Sequence, residues 1–273
     1  MNYLFYLFTA LLLPAIGIAQ SKLLATQPFT IGETVEVFSS ELQENRLLNI
    51  YLPAGYSADS SKKYPVIYLL DGSADEDFIH IAGLVQFGTF PWIEMLPESI
   101  VVGIANIDRR RDLTYPTHNE EDKKNNPTSG GSAKFIQFVS GELIPFIENR
   151  YPTNGVKTLI GQSLGGLLAA EILLKKPQMF TNYIIVSPSL WWDDESLMQL
   201  ESKVSQPGQH LYVAVGKEGE IMERTATALA DKHKKRGWKT YFQYYSDKSH
   251  ANILHEAVYD AFEKIFQKEE EKK

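Results

Sequence analysis

The stretch Thr158-Leu159-Ile160-Gly161-Gln162-Ser163-Leu164-Gly165-Gly166 decides the fold class of this chain. Its apolar residues 158–160 predict a buried strand, and the apolar run that starts at Leu164 predicts a helix. A serine between a strand and a helix, with glycine two positions away on either side, matches the G-x-S-x-G turn that presents a nucleophile. Only very small residues fit where strand and helix come this close. The stretch therefore predicts an α/β protein with Ser163 as a nucleophile.

The rest of the chain repeats the alternation of strand and helix. Short apolar runs without a polar alternation indicate strands buried on both faces, as in a parallel sheet. These runs are 66–70, 100–104, 158–160, 183–186 and 211–215, and a further strand is predicted over 240–245. Helical spacing occurs over 133–147, 164–174, 221–235 and 252–266. The pattern predicts the α/β fold class with a mostly parallel, doubly wound central sheet. Runs 34–38 and 47–52 predict antiparallel strands at its N-terminal edge.

Composition excludes several classes of function. The 273 residues include 27 Lys and Arg against 34 Asp and Glu, a net charge of −7. An acidic chain lacks the basic face that phosphate binding needs, so no nucleic-acid partner is expected. The absence of cysteine excludes disulfides, cysteine-ligated zinc and a thiol nucleophile. We expect neither a metal nor another cofactor.

The first residues have the composition of an export signal. Residues 3–18 are almost all apolar, and small residues at 17–19 precede Gln20. This pattern predicts a signal peptide over 1–19, cleaved after Ala19, and a periplasmic or secreted mature protein with no stable membrane association. An uncleaved membrane anchor is the alternative interpretation. The remaining residues 20–273 are predicted to form one domain.

A general base is predicted late in the chain. His250 lies in the loop between the last predicted strand and the last predicted helix. For a serine on such a turn the expected chain order is serine, acid, histidine, and the histidine follows a late strand. Of the six histidines, His250 fits both conditions, and His255 is the alternative.

The acid is less narrowly defined by the sequence. The strand over 211–215 ends at Gly216, and a carboxylate just beyond it could hold the tautomer of His250. Glu218 is the first candidate and Glu220 the second. Asp193 and Asp194, which follow the preceding strand, remain alternatives, as does a serine–histidine dyad without an acid.

Oxyanion donors are predicted from two places. The amide of Leu164 lies at the start of a helix, where backbone N–H groups point toward an anion. In this architecture a second amide comes from the loop after the first buried strand. Gly72 or Ser73 could supply it.

Three further residues are candidates for substrate contacts. Trp191 and Trp192 follow another strand at the edge where a parallel sheet binds ligands, and could form an aromatic wall. Arg109 opens a polar segment, 107–132, and could pair with an anionic substrate. A segment of that length without predicted structure is usually functional or disordered.

Four motifs together resemble a known family. They are YPVIYLLDG at 64–72, NIDRRRDLT at 106–114, GQSLGG at 161–166 and SPSLWW at 187–192. Over about residues 34–266 the chain is similar to the α/β-hydrolase family of esterase D, feruloyl esterases and ferric-siderophore esterases, and most similar to the siderophore-esterase branch. The resemblance implies Ser163 as nucleophile, His250 as base and the acid within 216–220. The chain departs from the family at Gln162, where histidine is usual, and at Gly219, where a carboxylate is often found.

These observations predict an exported serine esterase that acts through a Ser-His-acid triad and an acyl-enzyme. A siderophore lactone, an aryl ester or an acetylated carbohydrate could be its substrate. Two alternatives are an exported acyltransferase on the same fold and a non-catalytic, hydrolase-like binding protein.

Overall fold

A central sheet of eight strands organises the computed structural model, which describes residues 21–58 and 61–266. The predicted signal peptide over 1–19 lies outside these residues. Residues 21–30 contain no helix or strand, and a compact unit begins at Ile31. Within the described ranges, no helix is long and apolar enough to cross a membrane.

The sheet is mostly parallel, as predicted. Its strands are β1 Gly32–Ser39, β2 Glu44–Tyr51, β3 Tyr64–Leu69, β4 Ile100–Ile104, β5 Thr153–Gln162, β6 Asn182–Val186, β7 His210–Gly216 and β8 Lys239–Tyr245. They lie in the order β1-β2-β4-β3-β5-β6-β7-β8. β1 and β2 pair antiparallel at one edge, β2 joins β4 antiparallel, and all pairs from β4 through β8 are parallel. The prediction of a doubly wound sheet with antiparallel N-terminal edge strands is confirmed.

Helices cover both faces of this sheet. They are α1 Phe78–Gly88, α2 Arg109–Leu113, α3 Glu120–Asn125, α4 Ser132–Phe138, α5 Ile144–Arg150, α6 Leu164–Lys175, the single turn α7 Trp192–Glu195, α8 Glu220–Lys234 and α9 Leu254–Phe266. Apolar residues of α1 and α9 form the core on one face, and those of α4, α5, α6 and α8 form the core on the other. The predicted helix over 133–147 is divided, because one π-helical turn, Val139–Leu143, separates α4 from α5.

Burial explains why the strands carry continuous apolar runs. Every residue of β3, β4 and β6 is buried, since helices lie above and below them. α6 is apolar almost all round because it packs on β5 and β6 and is also contacted by α2. Its residues from Leu164 to Leu174 are all buried.

The polar segment 107–132 is ordered and contains α2 and α3. Arg46 of β2, 1% exposed, anchors it by donating to Asp112 at 2.7 Å and to the carbonyl of Ala105 at 3.1 Å. The guanidinium also lies over the ring of Phe135, 5.2 Å from its centroid. A buried charge of this kind is stable only when it is paired and hydrogen-bonded. The network fixes the start of the segment against the sheet.

Candidate active site

Ser163 occupies a sharp turn between β5 and α6. Its φ of 60° and ψ of −120° lie where non-glycine residues are rarely found. The turn is tied to the neighbouring strand, because the Ser163 amide donates to the carbonyl of Val186 at 3.1 Å. Such strain persists only when the surroundings impose it, and it is concentrated at functional sites.

The flanking glycines are required by close approach. A Cβ at Gly161 would lie 2.4 Å from the carbonyl oxygen of Gly165, and one at Gly166 would lie 2.9 Å from the Cα of Pro188. Both contacts are with main-chain atoms, which cannot move aside by a side-chain rotation. The G-x-S-x-G spacing therefore follows from the distance between β5, α6 and the loop after β6.

Substituting Gly161 by alanine should lower kcat for ester hydrolysis by about 100-fold, because the added methyl displaces the turn that carries Ser163. Gly83→Ala is a matched control, since a Cβ at this exposed position of α1 meets nothing within 4 Å. The control should keep its activity and gain about 0.5–1 kcal/mol in free energy of unfolding. Steady-state kinetics and urea unfolding measure both, and equal activity in the two variants would refute the packing argument.

His250 and Glu218 form a hydrogen-bonded pair on two adjacent loops. The Nδ1 of His250 lies 2.6 Å from Oε2 of Glu218, whose side chain is only 4% exposed. The other carboxylate oxygen accepts from Ser187 Oγ at 2.5 Å and from the Gly216 amide at 3.0 Å. Burial raises the pKa of Glu218, but these three hydrogen bonds outweigh it and hold the pKa below its usual value. An ionised Glu218 would keep the proton on Nδ1, which leaves Nε2 as the basic nitrogen.

Gln162, for which the sequence predicts no role, holds the His250 loop. Nε2 of Gln162 donates to the backbone carbonyl of His250 at 2.5 Å. The residue next to the serine therefore links the nucleophile turn to the histidine loop, although it takes no part in a proton path. The signal available in the sequence was the departure from the family's usual histidine at this position.

Ser163 and His250 line the same cleft. Among the described residues no hydrogen bond joins them, and Ser163 Oγ lies 3.4 Å from Ser189 Oγ. Catalytic hydrogen bonds often tighten only when substrate is bound. The arrangement therefore brings a serine, a histidine and a carboxylate into one site, with the serine still turned to Ser189.

The candidate oxyanion donors are reduced to two. The expectation for Gly72 is wrong, because its amide already donates to the carbonyl of Ile104 at 3.0 Å and so prolongs the pairing of β3 with β4. The Ser73 amide makes no hydrogen bond within the described ranges, while its hydroxyl accepts from the Asn106 amide at 3.3 Å. Leu164 is the first residue of α6, where helix geometry leaves the amide without an intrahelical partner. Leu164 and Ser73 thus remain as predicted donors.

The two tryptophans behave differently. Trp191 is 39% exposed and lines the cleft. Trp192 is fully buried, and its Nε1 donates to the carbonyl of Tyr115 at 2.9 Å. The expectation that Trp192 contacts substrate is wrong, because its ring fills the space under the polar segment 107–132.

The alternative acids and the alternative base lie elsewhere. Asp193 accepts from Ser196 Oγ, the His118 amide and Thr117 Oγ1, and although burial raises its pKa these hydrogen bonds lower it to about 2. Asp194 accepts from Nδ2 of Asn119, and Glu220 lines a cavity of about 680 Å³ between α8 and β8. The alternative base, His255, packs its ring on that of His80, with 4.5 Å between the ring centroids. Glu218 alone of the candidate acids is hydrogen-bonded to His250.

Arg109 lies in the cleft, but its charge is balanced. Its Nε and Nη2 donate to the two carboxylate oxygens of Asp71 at 2.6 and 2.9 Å. Asp71 also accepts from Nδ2 of Asn106 at 2.8 Å. A bidentate pair of this kind fixes the guanidinium strongly. An anionic substrate would therefore meet a neutral ion pair rather than a free cation.

The cleft has two compartments of different character. The acidic compartment, about 370 Å³, is lined by Asp71, Glu76, Asp77, Arg109 and Gln162 together with Ser163 and His250. The aromatic compartment, about 420 Å³, is lined by Ser189, Trp191, Lys217, Glu218 and Met222 and shares Ser163 and His250. Within the part of the chain that the structure describes, no group of three or more His, Asp and Glu side chains could hold a metal ion.

Comparison with known proteins shows the family of this chain. The family model described as "Putative esterase" matches residues 39–267. The chain belongs to this esterase family. Among curated proteins, this esterase is 28% identical over 256 residues to the ferri-bacillibactin esterase BesA of Bacillus subtilis (strain 168), covering 83% of the chain and 87% of the relative.

Two solved structures share the fold of this esterase. An IroE-like serine hydrolase from Shewanella oneidensis superposes with a TM-score of 0.77 at 32% identity, over 86% of this chain and 80% of the other. The BES protein from Bacillus cereus gives 0.75 at 27% identity, over 89% and 99%. Family membership and these relatives identify the chain as a carboxylic ester hydrolase on the α/β-hydrolase fold, as predicted.

Proposed function

We propose that this protein is an exported serine esterase in which Ser163 is the nucleophile, His250 the general base and Glu218 the acid that orients the histidine. The observation that carries the proposal is the placement of the strained Ser163 turn and the His250–Glu218 pair on one cleft. Asp193 and Asp194 are not part of the proposed triad, because their carboxylates accept hydrogen bonds from other residues. Glu220 is not part of it, because its side chain lines a separate cavity beside α8.

In the proposed reaction, Ser163 Oγ attacks the ester carbonyl while Nε2 of His250 takes the hydroxyl proton. The carbonyl oxygen becomes an oxyanion that the amides of Leu164 and Ser73 stabilise. The intermediate collapses, the carbon–oxygen bond to the alcohol breaks, and His250 passes its proton to the leaving alkoxide. Water, deprotonated by His250, then releases the acid and restores the Ser163 hydroxyl.

The proposed substrate class is a siderophore ester. Support comes from the ferri-bacillibactin esterase among the relatives and from the aromatic compartment. Its lining residues include the aromatic Trp191, the apolar and adaptable Met222 and the basic Lys217. Together these suit an aryl group that carries negative charge or phenolic oxygens.

Export is the second part of the proposal and rests on the sequence pattern of residues 1–19. If the proposal holds, the protein recovered outside the cytoplasm begins at Gln20. N-terminal sequencing of the fractionated protein measures this directly, and recovery of an intact N-terminus in the cytoplasm would contradict it.

An ester panel tests the proposed activity. The purified protein is assayed with bacillibactin, enterobactin, triacetylfusarinine C, methyl ferulate and 4-nitrophenyl acetate, with and without an added alcohol acceptor. We expect hydrolysis of at least one siderophore ester with kcat/KM above that for methyl ferulate. Preferential cleavage of methyl ferulate would overturn the substrate class. Transfer to the acceptor in place of hydrolysis would favour the acyltransferase alternative.

A further inference from the structure

Asp77 is a cleft carboxylate that serves no evident structural purpose. It occupies the N-cap of α1, where an aspartate normally accepts a hydrogen bond from a backbone amide of the first turn. Its φ of −86° and ψ of −10° are helical, however, and its side chain makes no capping hydrogen bond. No hydrogen bond to this carboxylate occurs within residues 21–58 and 61–266. The half-buried side chain instead lines the acidic compartment beside Ser163 and His250.

The surroundings of Asp77 are negative. Burial and the nearby carboxylates of Asp71 and Glu76 raise the pKa of Asp77 to about 6, although His80 and Arg109 oppose the shift. Asp71 and Arg109 form a bidentate pair whose charges cancel. Glu76 and Asp77 therefore leave the compartment with net negative charge at neutral pH.

The two halves of the cleft consequently differ in net charge. In the aromatic compartment the charge of Lys217 is offset by that of Glu218, whereas Glu76 and Asp77 leave unbalanced negative charge in the acidic compartment. Both compartments reach Ser163, so an ester bound across the serine has one half in each. A half-buried carboxylate without hydrogen-bond donors is poorly solvated, and a cationic ligand would relieve that cost.

We propose that Asp77 is a specificity-determining residue, which selects esters with an ammonium group close to the reacting carbonyl, bound in the acidic compartment. The inference rests on the proposed function and specifies the chemistry of the half of the substrate that faces α1. It predicts that a cationic ester is hydrolysed faster than its uncharged isostere of the same shape.

Two pairs of isosteric esters test this preference. Benzoylcholine is compared with 3,3-dimethylbutyl benzoate, which places the cation on the alcohol. The 4-nitrophenyl ester of 4-(trimethylammonio)butanoic acid is compared with that of 5,5-dimethylhexanoic acid, which places it on the acyl group. In at least one pair, the ratio of kcat/KM for the cationic ester to that for the neutral ester should exceed one. Asp77→Asn should lower that ratio by about tenfold, the effect of one charge at a partly solvated site.

Asp75→Asn is the matched control. It removes the same charge from the same loop, but Asp75 is exposed and does not line the cleft. Its ratio should stay within about twofold of the wild-type value, since exposed charges are screened by solvent. Equal ratios in wild type and Asp77→Asn, or equal changes in the two variants, would overturn the inference.

The pH dependence of the same ratio is a second readout. Cation selectivity should be present at pH 8 and fall as the pH drops through about 6 and Asp77 becomes protonated. An effect of pH on the catalytic machinery acts on both esters of a pair and therefore cancels in the ratio. The charged groups that face Asp77 are Asp71 and Glu76 on its own loop, Arg109 on α2 and His80 on α1, with His255 of α9 packed on His80. The change should be absent in Asp77→Asn.

Failure of the inference and failure of the proposed function are distinguishable. If the protein hydrolyses the neutral esters but shows no cation preference, only the inference on Asp77 fails. If neither pair is hydrolysed while a siderophore ester of the panel is, again only the inference fails. If no ester of the pairs or of the panel is hydrolysed by the wild-type protein, the proposed function fails and the inference with it.

Discussion

Replacing Ser163 by alanine is expected to lower kcat/KM for ester hydrolysis by about 10⁴-fold or more. The variant loses the only atom that would form the acyl-enzyme, and the remaining members of a triad cannot compensate because they act as one unit. The residual rate would reflect binding and the oxyanion amides of Leu164 and Ser73. Steady-state hydrolysis of 4-nitrophenyl acetate by the purified variant measures the loss.

Ser189→Ala provides the control for this result. It removes a hydroxyl 3.4 Å from Ser163 Oγ, in the same cleft, without touching the proposed nucleophile. We expect its activity to fall by less than about tenfold, the scale of one neutral hydrogen bond. If Ser163→Ala retained turnover while Ser189→Ala lost it, the nucleophile would be wrongly assigned.

Glu218→Gln should lower kcat by about 10³- to 10⁴-fold with little change in KM. A glutamine amide at this position can donate to Nδ1 of His250, which would place the proton on Nε2 and remove its basicity. The matched control is Glu220→Gln, the same substitution two residues along the chain, where the side chain is exposed and lines a different cavity. The control should remain within about twofold of wild type. Equal losses in both variants would refute Glu218 as the acid.

The lowered pKa of Glu218 predicts how the free energy of unfolding should change with pH. Because the native pKa lies below the ordinary value of 4.5, the ionised carboxylate stabilises the fold at every pH above 4.5. That contribution is lost as the pH falls through the lower native pKa. Urea unfolding should therefore show wild type more stable than Glu218→Gln at pH 7. The difference should vanish when the pH falls below the native pKa of Glu218. A difference independent of pH would mean that packing, and not the charge, is responsible.

The sheet and the nucleophile turn were predictable because their signals are local. Apolar runs without alternation reflect burial on both faces, and the glycines around Ser163 reflect distances of a few ångström between adjacent elements. The chain order of serine and histidine follows from the topology, which places the loops after β5 and β8 at the same edge of the sheet.

Candidates at the sheet edge could not be resolved from the sequence alone. Glu218 and Glu220 differ by two positions, and the choice depends on a loop in which Gly219 has a φ of 93°. Ser73 and Gly72 differ by one position, and only the continued pairing of β3 with β4 shows which amide is already used. Each choice depends on a non-local hydrogen bond.

Two side chains show the same limit. Trp191 and Trp192 are adjacent and chemically identical, yet one lines the cleft and the other is buried beneath segment 107–132. That segment appeared structureless because its helices, α2 and α3, are only five and six residues long. In the sequence Gln162 stands out only as a departure from the family pattern, and nothing local shows that its side chain donates to the carbonyl of His250.

Covalent labelling tests the central claim most directly. The purified protein is treated with a fluorophosphonate, digested and analysed by mass spectrometry, beside Ser163→Ala and Ser189→Ala. We predict one phosphonylated residue, Ser163, in wild type and in Ser189→Ala, with no label in Ser163→Ala. An unlabelled wild-type protein that still hydrolyses esters, or a label on any other residue, would contradict the account.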